Sequence, residues 1–375
     1  MAEPFDALIV GAGIVGAACA RELARAGLRV ALVERDAVGS GATAASMGHL
    51  VAMDDSPAQL LLTSFSQTLW DGLAGAAPER CDYDRCGTLW VAADDEELAA
   101  VEAKRAVYAD AGIASEILGA GALYAREPEL RPGLAGGLLV PGDSVIYPPR
   151  AAALLLEDGG AAPPLVLRGT VASLADCGVT LSDGRFVGAR LTVIATGAVA
   201  AELAPGVPIR PKKGHLAITD RYSGFARHQL IELGYIKNAH AAEGDSVAFN
   251  VQPRPNGQLL IGSSRQYDRQ DRQIDYPLLA EMLRRAQEYM PGLERLSCLR
   301  VWTGVRAATP DGLPLVGPLP GRPGVWLATG HEGLGITTAP ATAHLLAAQI
   351  LGRAPAIPIE PYLPARLMGQ EAADV

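Results

Sequence analysis

Asp6-Ala-Leu-Ile-Val10-Gly11-Ala-Gly13-Ile14-Val15-Gly16 is an apolar run that breaks into a glycine pattern. The run has no helical period, as a strand buried on both faces requires. A helical pattern follows through Ala26, and Gly27 stands where a left-handed residue ends a helix. Residues 28–33 read as a second strand, closed by Glu34 and Arg35. Strand, turn, helix, strand and terminal acid in register predict a right-handed βαβ unit that binds a dinucleotide. Gly11 allows the tight turn, Gly13 lets backbone approach a pyrophosphate, and Gly16 lets helix and strand pack closely. Ile14 and Val15 open a helix whose free N–H groups face the phosphates. Glu34 is placed to accept hydrogen bonds from an adenosine ribose.

FAD and NAD both present adenosine and pyrophosphate, so the fingerprint alone does not separate them. Three further stretches favour FAD. Ser40-Gly41-Ala-Thr43-Ala-Ala45-Ser46-Met47-Gly48-His49 offers small residues and hydroxyls where an extended dinucleotide would run. Ala195-Thr196-Gly197 ends a late buried strand, where an α/β sheet meets its ligand. Gly330-His331-Glu332-Gly333-Leu334-Gly335-Ile336-Thr337 opens a C-terminal helix whose N-terminus faces the electron-rich end of a reduced flavin. No second nucleotide-binding glycine pattern is present, which disfavours a nicotinamide reductase.

Composition narrows the class. With 49% hydrophobic residues the chain is no disordered segment. It carries 32 basic and 41 acidic residues, net −9, with no basic cluster to hold phosphodiester backbone, so nucleic acid is not an expected partner. No secretory signal and no membrane span are legible. The five cysteines are odd in number and scattered; Cys81 and Cys86 lack further ligands for an iron–sulfur cluster. The six histidines (His49, His215, His228, His240, His331, His344) include no pair at the four-residue spacing of a helical metal site, so no metal is expected. The chain reads as cytoplasmic. Helices are expected at 57–75, 94–111 and 277–290, strands at 87–91, 136–140, 249–252, 258–261 and 325–328, and a loose tail beyond about 366.

In their order and spacing these motifs resemble the D-amino-acid oxidase and glycine oxidase superfamily of flavoproteins over nearly the whole chain. Residues 330–340 and 45–50 look most like the β subunit of bacterial D-hydroxyproline dehydrogenase and the C subunit of hydrogen cyanide synthase. The fold implied is α/β plus α+β: a doubly wound, glutathione reductase-like FAD-binding domain with an inserted antiparallel-sheet substrate domain. The expected division gives 1–85, 145–210 and 302–375 to the FAD domain, and 86–144 and 211–301 to the substrate domain. Val171 and Gly304 join the expected cofactor contacts.

The resemblance assigns Arg306, in Trp302-Thr-Gly-Val-Arg306, to the substrate carboxylate, a task that a planar two-donor fork suits. Pairing with an acid such as Asp311 is the structural alternative. Glycine oxidase carries a further arginine where this chain has Gly333, and a tyrosine where it has Asn250. Asn250, Gln252 and His49 are candidate substrate contacts. His331 and Glu332 are candidates to orient the amine or relay a proton, with backbone capping the alternative for His331. Relatives that attach flavin covalently use positions that read Gly304 and Ala45 here, so non-covalent FAD is expected. The implied reaction is oxidation of an amino or imino acid at Cα, with cis-4-hydroxy-D-proline favoured and glycine, oxidised onward to cyanide, the runner-up. The implied partners are a subunit with a second flavin or nucleotide site and a small iron–sulfur subunit, with FMN at an interface as one arrangement and the inner face of the membrane reached through partners. Two other readings stay open: a self-sufficient oxidase making peroxide, and a non-catalytic flavin relay or assembly subunit.

Overall fold

The computed structural model describes residues 3–234 and 244–368. Lys237, His240 and most of the expected loose tail lie outside them. The tail's described part is a short helix, Ala365–Met368, in which Arg366 binds Asp311 in a two-bond fork.

Two sheets organise the chain. The first runs Leu315–Pro318, Val325–Thr329, Phe186–Ile194, Phe5–Val10, Val30–Glu34 and Leu165–Arg168. Four of the five pairings along this path are parallel, so both faces must be covered. Helices Ile14–Arg25, Pro148–Glu157 and Gly335–Ile350 share its main core, built on Leu23, Leu32, Val193, Leu345 and Leu346. Ile14–Arg25 ends as expected: Gly27 takes φ +92°, and the amides of Gly27 and Leu28 bond back to Ala24 and Leu23. Gly178–Leu181 and Val171–Ala175 extend the sheet antiparallel from Phe186–Ile194.

The second sheet runs Cys298–Ala308, Arg210–Arg221, Gln258–Tyr267, Ser246–Pro253, Gln229–Glu232, Thr88–Ala92, Gly136–Val140 and Glu116–Gly119. All pairings are antiparallel except Gln229–Glu232 with Thr88–Ala92. The helix Tyr276–Tyr289 covers its outer face, where Tyr289 stacks on Phe249 with ring centroids 4.4 Å apart. The expected boundary at 302 falls inside Cys298–Ala308, which pairs with Arg210–Arg221 as far as Ala308. Arg306 therefore belongs to the second sheet. The inner face of this sheet looks across at the strand ends of the first.

Candidate functional site

Between the two sheets lies a cavity of about 1600 Å³, running from Gly11, Gly13 and Glu34 past Ala195 to Arg306 and Asn250. At its nucleotide end Gly11 holds φ +102°, and a Cβ there would come within 2.7 Å of the Ala195 carbonyl. Gly16 packs against the Gly11 carbonyl, which a Cβ would strike; it braces the turn and does not line the cavity. The Glu34 carboxylate accepts the Ala12 and Asp36 amides, both at 2.7 Å, which fixes it at the strand end with lone pairs to spare. Thr43 Oγ1 accepts the Ile14 amide at 3.0 Å and faces Gly13, so the early loop folds back over the helix N-terminus. Ser40, Gly41 and Ser46 line the same channel, as do Val15, Arg35 and Val171. Thr196 Oγ1 is buried there without a partner among the described residues, beside Gly197. Such an orphaned hydroxyl, a glycine turn under a helix start and a poised carboxylate suit the phosphates and ribose of a dinucleotide.

In the middle of the cavity Gly304 faces Ala45, close enough that a Cβ on Gly304 would lie 2.7 Å from the Ala45 Cβ. Trp302 Nε1 donates to the Ala45 carbonyl at 3.1 Å. Met47 and Gly48 continue the wall to His49. Burial pushes the His49 ring down to about 4, and its Nε2 has no partner among the described residues. The ring is neutral near pH 7. Gln252, expected on the substrate, lies off the cavity wall: its Nε2 donates to the Met47 carbonyl at 2.8 Å and braces that loop. Thr337 is likewise off the wall, with its hydroxyl donating to the His49 carbonyl at 2.8 Å. Asn250 does reach the cavity, and its buried Oδ1 has no partner among the described residues.

Arg306 stands opposite Lys212 in the sheet register, and Lys212 stands opposite Tyr267. Its Nη1 donates to the Ser264 carbonyl at 3.1 Å. Asp311 is taken by Arg366, so the acid considered as its structural partner is engaged elsewhere. Glu332 is ion-paired with Lys212 and sits at φ +50°, its amide bonded to the Ala307 carbonyl at 2.7 Å. Burial raises the Glu332 carboxyl, but Lys212, Arg265 and Arg306 outweigh it and hold the group below the ordinary range. An acid so stabilised is a poor base. His331, a candidate to orient the amine or relay a proton, lines the cavity and is tied to the following helix. Its Nε2 is 2.9 Å from Thr342 Oγ1 on the following helix, and burial drives the ring down to about 3. It fastens the loop to the helix. Gly330, Gly333, Leu334, Gly335 and Ile336 line the cavity around these two residues.

Sequence reasoning missed Lys212 and Arg265, which share the cavity wall with Arg306. It also missed an apolar wall of Val51, Met53, Trp90 and Ile231, packed as one cluster with Leu334. Behind that wall Lys104 pairs with Asp54 and lies 4.3 Å from the Trp90 ring centroid. Tyr108 Oη, the Asp143 carboxylate and Thr63 Oγ1 each bond to the backbone of Ala52 or Met53, so the strap at 51–55 is held at several points. No cluster of three or more His, Cys, Asp or Glu among the described residues suits a metal ion. None of the described helices is long and apolar enough to cross a membrane.

Comparison with known proteins agrees with this architecture. The chain is 29% identical to glycine oxidase of Pseudomonas aeruginosa, over 96% of this chain and 98% of that protein. It is 28% identical to hydrogen cyanide synthase subunit HcnC of the same species, over 100% of this chain and 99% of that one. The crystal structure of glycine oxidase from Geobacillus kaustophilus superposes with a TM-score of 0.86 at 28% identity, covering 98% of this chain and 100% of that one. The model of the FAD dependent oxidoreductase family matches residues 6–349, and the chain belongs to that family.

Proposed function

We propose that this chain oxidises the Cα–N bond of a small amino or imino acid to the imine, with cis-4-hydroxy-D-proline as favoured substrate and partner subunits as electron acceptors. The observation that carries the reading is the pairing of Arg306 with an apolar wall that holds one unpartnered amide oxygen, Asn250 Oδ1. The guanidinium offers a carboxylate its two-donor fork. Val51, Met53, Trp90 and Ile231 give surface to a carbon ring and exclude water from it. Asn250 Oδ1 accepts from a ring hydroxyl or from the amine, a bond whose loss would leave a buried acceptor unpaired. FAD bound between the two sheets would supply the acceptor for the Cα hydrogen. The lowered pKa of His49 makes it a weak base, His331 is bonded to Thr342 and Glu332 is paired with Lys212, which supports a contribution by placement of the substrate.

FAD is held without a covalent bond, since Ala45 and Gly304 face each other with no nucleophile between them. Transfer to partners, among them an iron–sulfur subunit and a second flavin site, is supported by the likeness to HcnC, itself named a subunit. Glycine as substrate is the second reading, favoured by the likeness to glycine oxidases. The test is anaerobic addition of cis-4-hydroxy-D-proline, D-proline, their L-isomers and glycine while flavin absorbance is followed, then admission of air. Bleaching by cis-4-hydroxy-D-proline ahead of glycine, with slow reoxidation, is expected. Preferential bleaching by glycine would move the assignment to the second reading, and fast reoxidation would replace partner transfer by oxidase chemistry. No bleaching by any amino acid would overturn the enzymatic reading.

A further inference from the structure

Arg306 reaches the cavity through a slot between two glycines. On one side Gly333 lies along its stem, where a Cβ would meet Cδ and Nε at 3.7 Å, an ordinary contact. On the other side Gly214 lies under its fork. A Cβ on Gly214 would sit 2.8 Å from Nη2, 2.9 Å from Nη1 and 2.8 Å from the Ser264 carbonyl oxygen. Those atoms include both ends of the Arg306–Ser264 hydrogen bond.

Gly214 is in the interior of the strand Arg210–Arg221, where glycine weakens a sheet and commonly marks close approach. Backbone conformation does not call for it, because its φ is outside the left-handed region. Ser264 cannot readily retreat: its Oγ accepts the His215 amide at 2.9 Å and is 2.9 Å from His215 Nδ1. A methyl group at 214 would therefore push the guanidinium rather than the neighbouring strand. We propose that Gly214 is a positioning residue for substrate binding, keeping open the slot in which Arg306 presents its fork to the carboxylate. The inference rests on Arg306 being the carboxylate anchor.

The test measures acetate binding to the FAD-loaded protein, read as a change in flavin absorbance, in a double-mutant cycle of Gly214→Ala with Arg306→Lys. Loss of one charge-assisted bond of the fork predicts a rise in acetate Kd of about tenfold or more for Gly214→Ala, with FAD affinity within about twofold. A lysine has no Nη atoms to collide with, so in the Arg306→Lys background the same substitution should change acetate Kd by less than about twofold. Equal losses in both backgrounds, or an unchanged Kd in Gly214→Ala, would overturn the slot while leaving the anchor intact. Wild-type acetate affinity in Arg306→Lys would remove the anchor and the slot together. Should Gly214→Ala fail to fold alone, folding of the double variant supports the collision, and failure of both overturns it.

Discussion

Glu34→Gln separates the structural duty of the strand-end carboxylate from its duty to the cofactor. Each carboxylate oxygen accepts one backbone amide, Ala12 N–H on one side and Asp36 N–H on the other, both at 2.7 Å. Glutamine has one acceptor and one donor, so whichever way its amide turns, one buried N–H faces an NH2 group. That mismatch costs about 1–3 kcal/mol. It burdens the protein with and without FAD alike, and therefore falls on stability and cancels from cofactor affinity.

What survives in the affinity is the bond from a ribose hydroxyl to a charged acceptor, worth about 1.5–3 kcal/mol. The FAD Kd should accordingly rise by about one to two decades, measured by titrating apoprotein with FAD and following flavin fluorescence. The urea midpoint of the apoprotein should fall at the same time. Turnover per loaded molecule should be unchanged, because Glu34 is at the far end of the cavity from Arg306. A lower urea midpoint with an unchanged Kd would refute the ribose assignment and leave Glu34 as a brace of the glycine turn.

Acid precipitation of the yellow protein should leave its flavin in the supernatant, and flavin retained in the pellet would contradict the covalently inert pair Ala45 and Gly304. Burial lowers the His49 and His331 rings to about 4 and about 3. The unfolded chain thus takes up protons, below an ordinary histidine pKa of about 6.5, that the folded chain refuses, and stability that is full above that pH should fall as pH drops toward 4. Replacing His331 by asparagine should flatten this fall in urea midpoints, and an unchanged slope would show that the ring is not held neutral. Lys104→Met should destabilise by about 3–5 kcal/mol, since it leaves the largely buried Asp54 carboxylate without the ammonium that sits against Trp90 and Tyr108. Adding Asp54→Leu should restore most of that loss in denaturant titrations, and no recovery would mean that the aromatic contacts carry the effect.

The nucleotide end was legible because its constraints are local. Gly11, Gly13, Gly16 and Glu34 lie within one βαβ unit, and each residue type answers a demand of backbone or phosphate that few others meet. The substrate end is assembled across the chain. Lys212 and Lys213 are adjacent and both buried, one paired with Glu332 and the other with Asp271. Period-two reading does not say which faces the cavity, because the register with Gln258–Tyr267 shifts between Lys213 and Ala217. Arg265 looks like any strand residue until the sheet brings it beside Arg306. Gln252 was illegible for a related reason: a strand pattern gives a face, while the Met47 carbonyl that takes its Nε2 hydrogen is 205 residues away.

The same logic bears on the loop at 331–332, whose residue types suggested proton chemistry. A histidine and a glutamate beside a cofactor are the ordinary apparatus of acid–base catalysis when their environments leave them free to titrate near neutrality. Here each is engaged by a residue from another element: Thr342 for His331, Lys212 for Glu332. Glu332 lies among Lys212, Arg265 and Arg306, and offsets part of the charge of three cations gathered on one wall. On the proposed reading, the direction of the Arg306 fork decides where Cα comes to rest. If the site acts through placement in this way, its sensitive positions are the ones that hold the arginine in line, Gly214 among them.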